Sequence, residues 1–237
     1  MLKYIISLSV SMLMVVTTLA QNDSVTSTPQ DSVKYAQKYG LRLGGDISKL
    51  VRSAIDEDYT GFEINADYRI KPNLYIAGEL GFEEKLNKTD YLSSTAKGSY
   101  IKAGIDINLY RNWFGMDNLI YSGFRAGFSS FTHTIHQYVP YTTDQSWNQI
   151  LITDTIEHKG LSAVWGELII GIKAEVFNNL FIGINAQLKG RITEKEPDNF
   201  ENIYIPGFGR TYDSGNFGMG YGYNISYLIP LYKKDKE

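Results

Sequence analysis

From Phe62 to Ile70 the chain reads Phe62-Glu63-Ile64-Asn65-Ala66-Asp67-Tyr68-Arg69-Ile70. Apolar side chains hold the even positions and polar or charged ones the odd. A period of two makes a β-strand with two chemically different faces, because successive side chains project to opposite sides of a sheet. Lys71-Pro72-Asn73 breaks the run with turn-forming residues, and the alternation resumes from Leu74 to Glu83. Eight segments carry the pattern: 41–52, 61–70, 74–83, 98–109, 119–131, 161–176, 180–192 and 217–229. Most match the roughly 9–11 residues with which a tilted strand crosses a bilayer. No helical period competes over a comparable window.

The connections between these segments also alternate. Residues 71–73, 110–118 and 177–179 are short links, whereas 53–60, 84–97, 132–159 and 193–216 are mostly longer. Short turns at one end and long loops at the other characterise up-and-down outer-membrane barrels. The predicted fold is therefore all-β, an eight-stranded antiparallel up-and-down transmembrane β-barrel. An even strand count brings both termini to one end, the periplasmic one.

Alternation alone does not say which face points inward, since a soluble lipocalin-like barrel alternates too. Volume decides. The apolar face carries roughly five large side chains per strand, and an eight-stranded lumen is only just wide enough to be filled by side chains. That face is expected to meet lipid. The polar face then lines the lumen. Glycines such as Gly104, Gly171, Gly218, Gly220 and Gly222 leave room there for Trp165, Tyr75 and Tyr100. Its charges are Arg42, Asp46, Glu63, Asp67, Arg69, Glu79, Lys102, Asp106, Arg125, Glu167, Lys173, Glu175, Lys189 and Arg191, with Arg52 and Glu83 at strand ends. Positive and negative residues balance, and buried charges persist when paired and hydrogen-bonded. The expected lumen is closed by a salt-bridge network.

Charge and composition narrow the rest. A net charge of −3 is too mild for a polyanion binder, so nucleic acid is not an expected partner. The absence of cysteine excludes disulfides, thiolate metal sites and Cys nucleophiles. Met1–Ala20 reads as a secretory signal: Lys3 supplies the positive end, Tyr4–Val16 the apolar core, and Thr18-Leu19-Ala20 a small-x-small cleavage site. Residues 21–38 form a polar periplasmic leader, 39–232 the barrel, and 233–237 a charged tail.

With these segments assigned, several stretches resemble a known group of proteins: Tyr39-Gly40-Leu41-Arg42, Tyr59-Thr60-Gly61-Phe62-Glu63-Ile64, Gly98-Ser99-Tyr100-Ile101-Lys102, Gly171-Ile172-Lys173-Ala174-Glu175-Val176-Phe177-Asn178-Asn179, Lys195-Glu196-Pro197-Asp198-Asn199-Phe200, Ile203-Tyr204-Ile205-Pro206-Gly207-Phe208 and Ile225-Ser226-Tyr227-Leu228-Ile229-Pro230-Leu231-Tyr232. The chain resembles the small outer-membrane β-barrels of Bacteroidota gathered as domain-of-unknown-function family 6048. The resemblance implies fold and location and carries over no catalytic residue.

Candidate chemistry is sparse. His133 and His136 follow the fifth segment and His158 precedes the sixth. Imidazoles suit Zn or Cu, but no carboxylate or cysteine stands at a ligand spacing, so no metal or cofactor is expected and the histidines read as exposed loop residues. Ser129, Ser130 and Thr132 beside His133 are the only hint of a nucleophile and base. Ile203, Tyr204, Ile205 and Phe208 form an unusually apolar loop segment, either packed on the loop 132–159 or offered to a partner. The functional expectation is a non-catalytic barrel with an occluded lumen and a structural or interaction role, as an accessory subunit of an outer-membrane assembly. Its partners are outer-membrane lipid and other envelope proteins, with no small-molecule substrate. The rival expectations are a lipid-modifying enzyme at the outer rim and a narrow channel.

Overall fold

A computed structural model describes residues 36–110, 117–140, 150–212 and 215–235. Residues 1–20, read as a secretory signal, and most of 21–38, read as a leader, lie outside the described residues, as do Tyr141 and Trp147 of the longest loop. Eight long strands run antiparallel: β1 (Ala36–Asp46), β2 (Tyr59–Lys71), β3 (Leu74–Lys88), β4 (Leu92–Asn108), β5 (Leu119–Tyr138), β6 (Ile156–Phe177), β7 (Leu180–Glu194) and β10 (Phe217–Asp235). Between β7 and β10 the chain makes a two-residue ladder, β8 (Tyr204–Ile205) against β9 (Gly209–Arg210). One helix, α1 (Ile47–Ile55), follows β1. Neighbours in sequence are neighbours in the sheet, and β1 pairs with both β2 and β10, which closes the barrel.

The outward faces carry the apolar set. On β4 they are Ile101, Ile105 and Ile107, on β5 Ile120, Phe124 and Phe128, on β6 Leu168, Ile170 and Ile172, and on β7 Ile182, Ile184 and Leu188, all exposed. The charged positions of the same strands turn inward: Lys102, Asp106, Arg125, Glu167, Lys173 and Lys189 are buried. Alternation at the level of residues thus becomes an apolar belt around a polar interior. Phe62 and Phe82 stack at 6.2 Å on the outer part of this belt. At the opposite end Tyr232 of β10 stacks on Tyr39 of β1 at 5.2 Å and meets Tyr68 of β2.

Three strand ends differ from expectation. The first alternating segment, read as 41–52, is strand only to Asp46. Asp46 then caps a helix, its carboxylate accepting from Ser48 N at 2.7 Å. An Asp at the N-cap satisfies an otherwise orphaned helix donor. Strict alternation would have put Lys49 on the lipid face and Leu50 inside. The helix instead turns Lys49 inward and leaves Leu50, Val51 and Ile55 exposed together.

The second difference is length. β3 and β4 continue through most of 84–97, and β5 and β6 through much of 132–159, as ladders that pass the belt. Outward positions at this end are Ser93, Thr95, Lys97 and Ser99 on β4 and Ser130, Thr132 and Thr134 on β5, polar where the belt is apolar. The third difference is at the termini, where Ala36 pairs with Asp235, so leader and tail are partly strand. At the tight β6–β7 link Asn179 takes a φ of 66°, a left-handed conformation that asparagine tolerates.

Candidate functional site

The lumen is filled in layers. At the end near the chain termini, Tyr75, Leu119, Tyr121, Ile169, Phe181 and Leu228 form an apolar cluster. Arg42 lies over it, 4.5 Å from the Phe181 ring centroid, and pairs with Asp67 at 2.9 Å. Asp67 also takes Lys173 at 2.7 Å. Arg69 meets Asp117 at 3.2 Å and donates to the Tyr75 hydroxyl at 2.6 Å. Lys38 reaches Glu175 at 3.0 Å.

Above this floor lies a larger network centred on Lys102. Its ammonium is 2.6 Å from Glu79, 3.2 Å from Glu63 and 3.7 Å from Glu167. Glu79 continues to Arg125 at 3.3 Å, and Arg125 to Asp106 at 2.8 Å. Glu63 continues to Lys49 at 3.0 Å, and Lys49 to Glu83 at 2.6 Å. Glu167 accepts from the Trp165 indole at 2.7 Å and faces Lys189 at 3.6 Å. Burial alone would lower the Lys49 pKa, but Glu83 and then Glu63 outweigh it and hold the ammonium above its ordinary range. Charged hydrogen bonds in a dry interior are strong, and no member can be lost cheaply.

Large rings fit because facing positions are glycine. A Cβ on Gly127 would lie 2.3 Å from the Trp165 ring, and one on Gly81 2.2 Å from Tyr100. Among the described residues, two voids along the axis measure about 30 and 10 Å³, room for a water or two.

The mouth is closed by the segment read as a contact loop. Tyr204, Ile205 and Phe208 are buried and Ile203 is half-buried, so these residues do not form an exposed patch. They enter the barrel and, among the described residues, pack on its wall rather than on the loop 132–159. Phe208 meets Trp165 edge-on at 6.1 Å, and Ile205 joins Tyr100, Phe131 and Leu161. The segment is apolar because its surroundings are the lumen wall. Its backbone is held by charge: Glu83 accepts from Gly207 N at 2.9 Å and Tyr204 Oη at 2.8 Å, and Lys189 donates to the Gly207 carbonyl at 2.7 Å. Outside the mouth Phe200 does reach that loop's strands, 5.2 Å from Tyr138 and 6.1 Å from His158.

Two predicted lumen charges sit elsewhere. Arg52 is on α1 and pairs with Asp56 at 3.3 Å. Arg191 pairs with Glu194 at the rim at 2.5 Å. Asp46 does line the lumen beside Glu63 and Asp67, and its carboxylate also caps α1. Lys49, Lys38 and Asp117, none of them assigned to the lumen from sequence, make ion pairs there instead. The mismatch between Lys49 and strict alternation was the available signal for the first.

The histidines are not exposed loop residues. His133 is buried on β5, opposite His158 in register, and neither of its ring nitrogens has a hydrogen-bond partner. His136, three residues on, points to the other face, 2.8 Å from Thr95 Oγ1. Burial, with His158 nearby, pushes the His133 imidazole down to about 4. Ser129 donates to the Ser99 carbonyl at 3.3 Å, not to His133. Among the described residues no cluster of three or more His, Asp or Glu side chains is placed to hold a metal ion.

No curated protein matches the chain. The family model described as Domain of unknown function (DUF6048) matches residues 1–234. With that match running almost end to end over the strands and the ionic lumen just described, the chain belongs to this family.

Proposed function

We propose that the protein is a sealed outer-membrane β-barrel with a non-catalytic role, acting as an accessory subunit that other envelope proteins grip. One observation carries the reading. The charged side chains of the strands are buried inside, and Ile, Leu and Phe cover the outside. A water-soluble barrel would gain by the reverse arrangement, since an exposed apolar surface of this extent is unfavourable in water and favourable in acyl chains. The short links and both chain ends then face the periplasm. The ladders of β4, β5 and β6 rise beyond the belt with polar outer positions, and they give a partner a rigid surface outside the bilayer.

A channel is disfavoured by the aromatic floor, the Lys102 network and the plug, which fill the axis around voids of about 30 and 10 Å³. A rim enzyme is disfavoured by the lack of any hydroxyl hydrogen-bonded to His133. The test is to purify the mature chain and compare its migration before and after heating in detergent. A folded, heat-modifiable species that precipitates when detergent is withdrawn supports the reading. A folded species that stays dissolved without detergent overturns it. Gentle-detergent pull-down from the native membrane then asks for the partner, and consistent isolation as a bare monomer would remove the subunit role.

A further inference from the structure

The barrel wall has a gap at its outer end. β1 stops at Asp46, whose partner on β10 is Asn224. Beyond that level, Phe217–Tyr223 of β10 pair with β7 alone, and Tyr59–Glu63 of β2 pair with β3 alone. Two strand edges therefore face each other across a space one strand wide. α1 lies between them, with Lys49 turned into the lumen and Leu50 and Val51 outward. Unpaired backbone donors and acceptors are not tolerated against acyl chains. The gap thus belongs at headgroup depth, where polar groups can serve them, and the adjoining Tyr221 and Tyr223 suit that level.

A pocket of about 160 Å³ opens at this place. Lys49, Arg52, Lys189 and Glu83 line it, so cations outnumber carboxylates. Lys49 and Lys189 have committed their donors to Glu83, Glu63 and the plug carbonyls, and they supply field. Arg52 supplies donors. Its Nε alone goes to Asp56, its guanidinium lies 3.9 Å over the Tyr59 ring, and Asp56 is shared with Lys85 at 3.0 Å. Gly220 keeps the pocket open: a Cβ there would meet Gln187 at 2.7 Å and the Lys189 Nζ at 3.3 Å. The same pocket is bordered by Met219 and Tyr221, 87% and 68% exposed, which continue the apolar wall. A cationic cradle at one end and an apolar outer wall at the other complement one molecule with both characters.

We infer that this gap holds the phosphate headgroup of a lipid, with Arg52 as its hydrogen-bonding anchor and the acyl chains against Leu50, Val51, Met219 and Tyr221. The inference rests on the outer-membrane reading and names a ligand for it. Native mass spectrometry of the detergent-folded full chain tests it, with phosphatidate, phosphatidylcholine and diacylglycerol offered separately. Phosphatidate is expected to be retained best, and Arg52→Gln to weaken its retention about tenfold, the loss of one charged hydrogen bond. Gly220→Leu is expected to do the same by filling the pocket, while heat-modifiability shows that either variant remains folded. If Arg52→Gln fails that check, Gly220→Leu and the wild-type comparison of lipids decide. Equal retention of the three lipids by a correctly folded barrel overturns the inference and leaves the membrane reading standing. Displacement of phosphatidate by excess inorganic phosphate overturns a lipid as the occupant. A chain folded and soluble without detergent removes the membrane reading itself.

Discussion

At the scale of single residues, the interior is held by a few shared charges. Lys102 is buried among Glu63, Glu79 and Glu167. Lys102→Met strands three carboxylates in a dry site, and breaking a buried pair costs about 3–5 kcal/mol. The urea midpoint of the detergent-folded protein should fall accordingly, and an unchanged midpoint would show that water already solvates this layer. His133 gives a pH dependence. Its folded pKa of about 4 lies below the unfolded value of about 6.5. The folded state therefore binds fewer protons between these values, so this residue's contribution is complete above about pH 6.5 and is lost as the pH falls toward 4. Protection factors against hydrogen exchange at the outer ends of β5 and β6, corrected for the intrinsic rate, should fall over that window, and His133→Phe should flatten the response.

At the scale of elements, the belt and its one interruption matter most. Ile105 points outward from β4 at the middle of the apolar belt, opposite Phe124. Arginine at the midplane of a barrel costs about 2–4 kcal/mol, so Ile105→Arg should impair assembly while Ile105→Leu should not. Equal recovery of both variants from the membrane fraction would reverse the facing assignment. Strands were legible here because a wall apolar outside and ionic inside enforces strict alternation. Where that enforcement ends, legibility ends too. The outer parts of β4, β5 and β6 lie past the apolar belt, and Ser-, Thr- and His-containing stretches such as 93–95 and 132–134 lack the apolar alternation and read as loops. α1 escaped for a different reason. Its residues alternate almost as well as they follow a helical period, and the Asp46–Ser48 cap was the discriminating feature.

At the scale of the whole molecule, closure is redundant. The plug, the Lys102 network and the aromatic floor each block the axis on their own. Replacing Tyr204, Ile205 and Phe208 together by alanine should therefore open no steady conductance in a planar bilayer, although the mouth would lose its packing. A reproducible channel in that variant would assign the seal to the plug alone. The plug itself was legible only as an apolar anomaly, since nothing local to 203–208 says that its surroundings are a barrel interior rather than another loop.

Period-two alternation and loop chemistry are local properties, and they were enough to determine an antiparallel up-and-down array of eight strands and the residues that share each face. Which charges meet was decided by the closed sheet. Lys173 reaches Asp67 across 106 residues of chain, and Tyr204 reaches Glu83 across 121. Such pairs depend on register and on the circumference of the barrel, and no short stretch encodes either. The helical turn at Ile47, the gap it covers and the plug beneath follow the same logic: each answers to neighbours that only closure brings near.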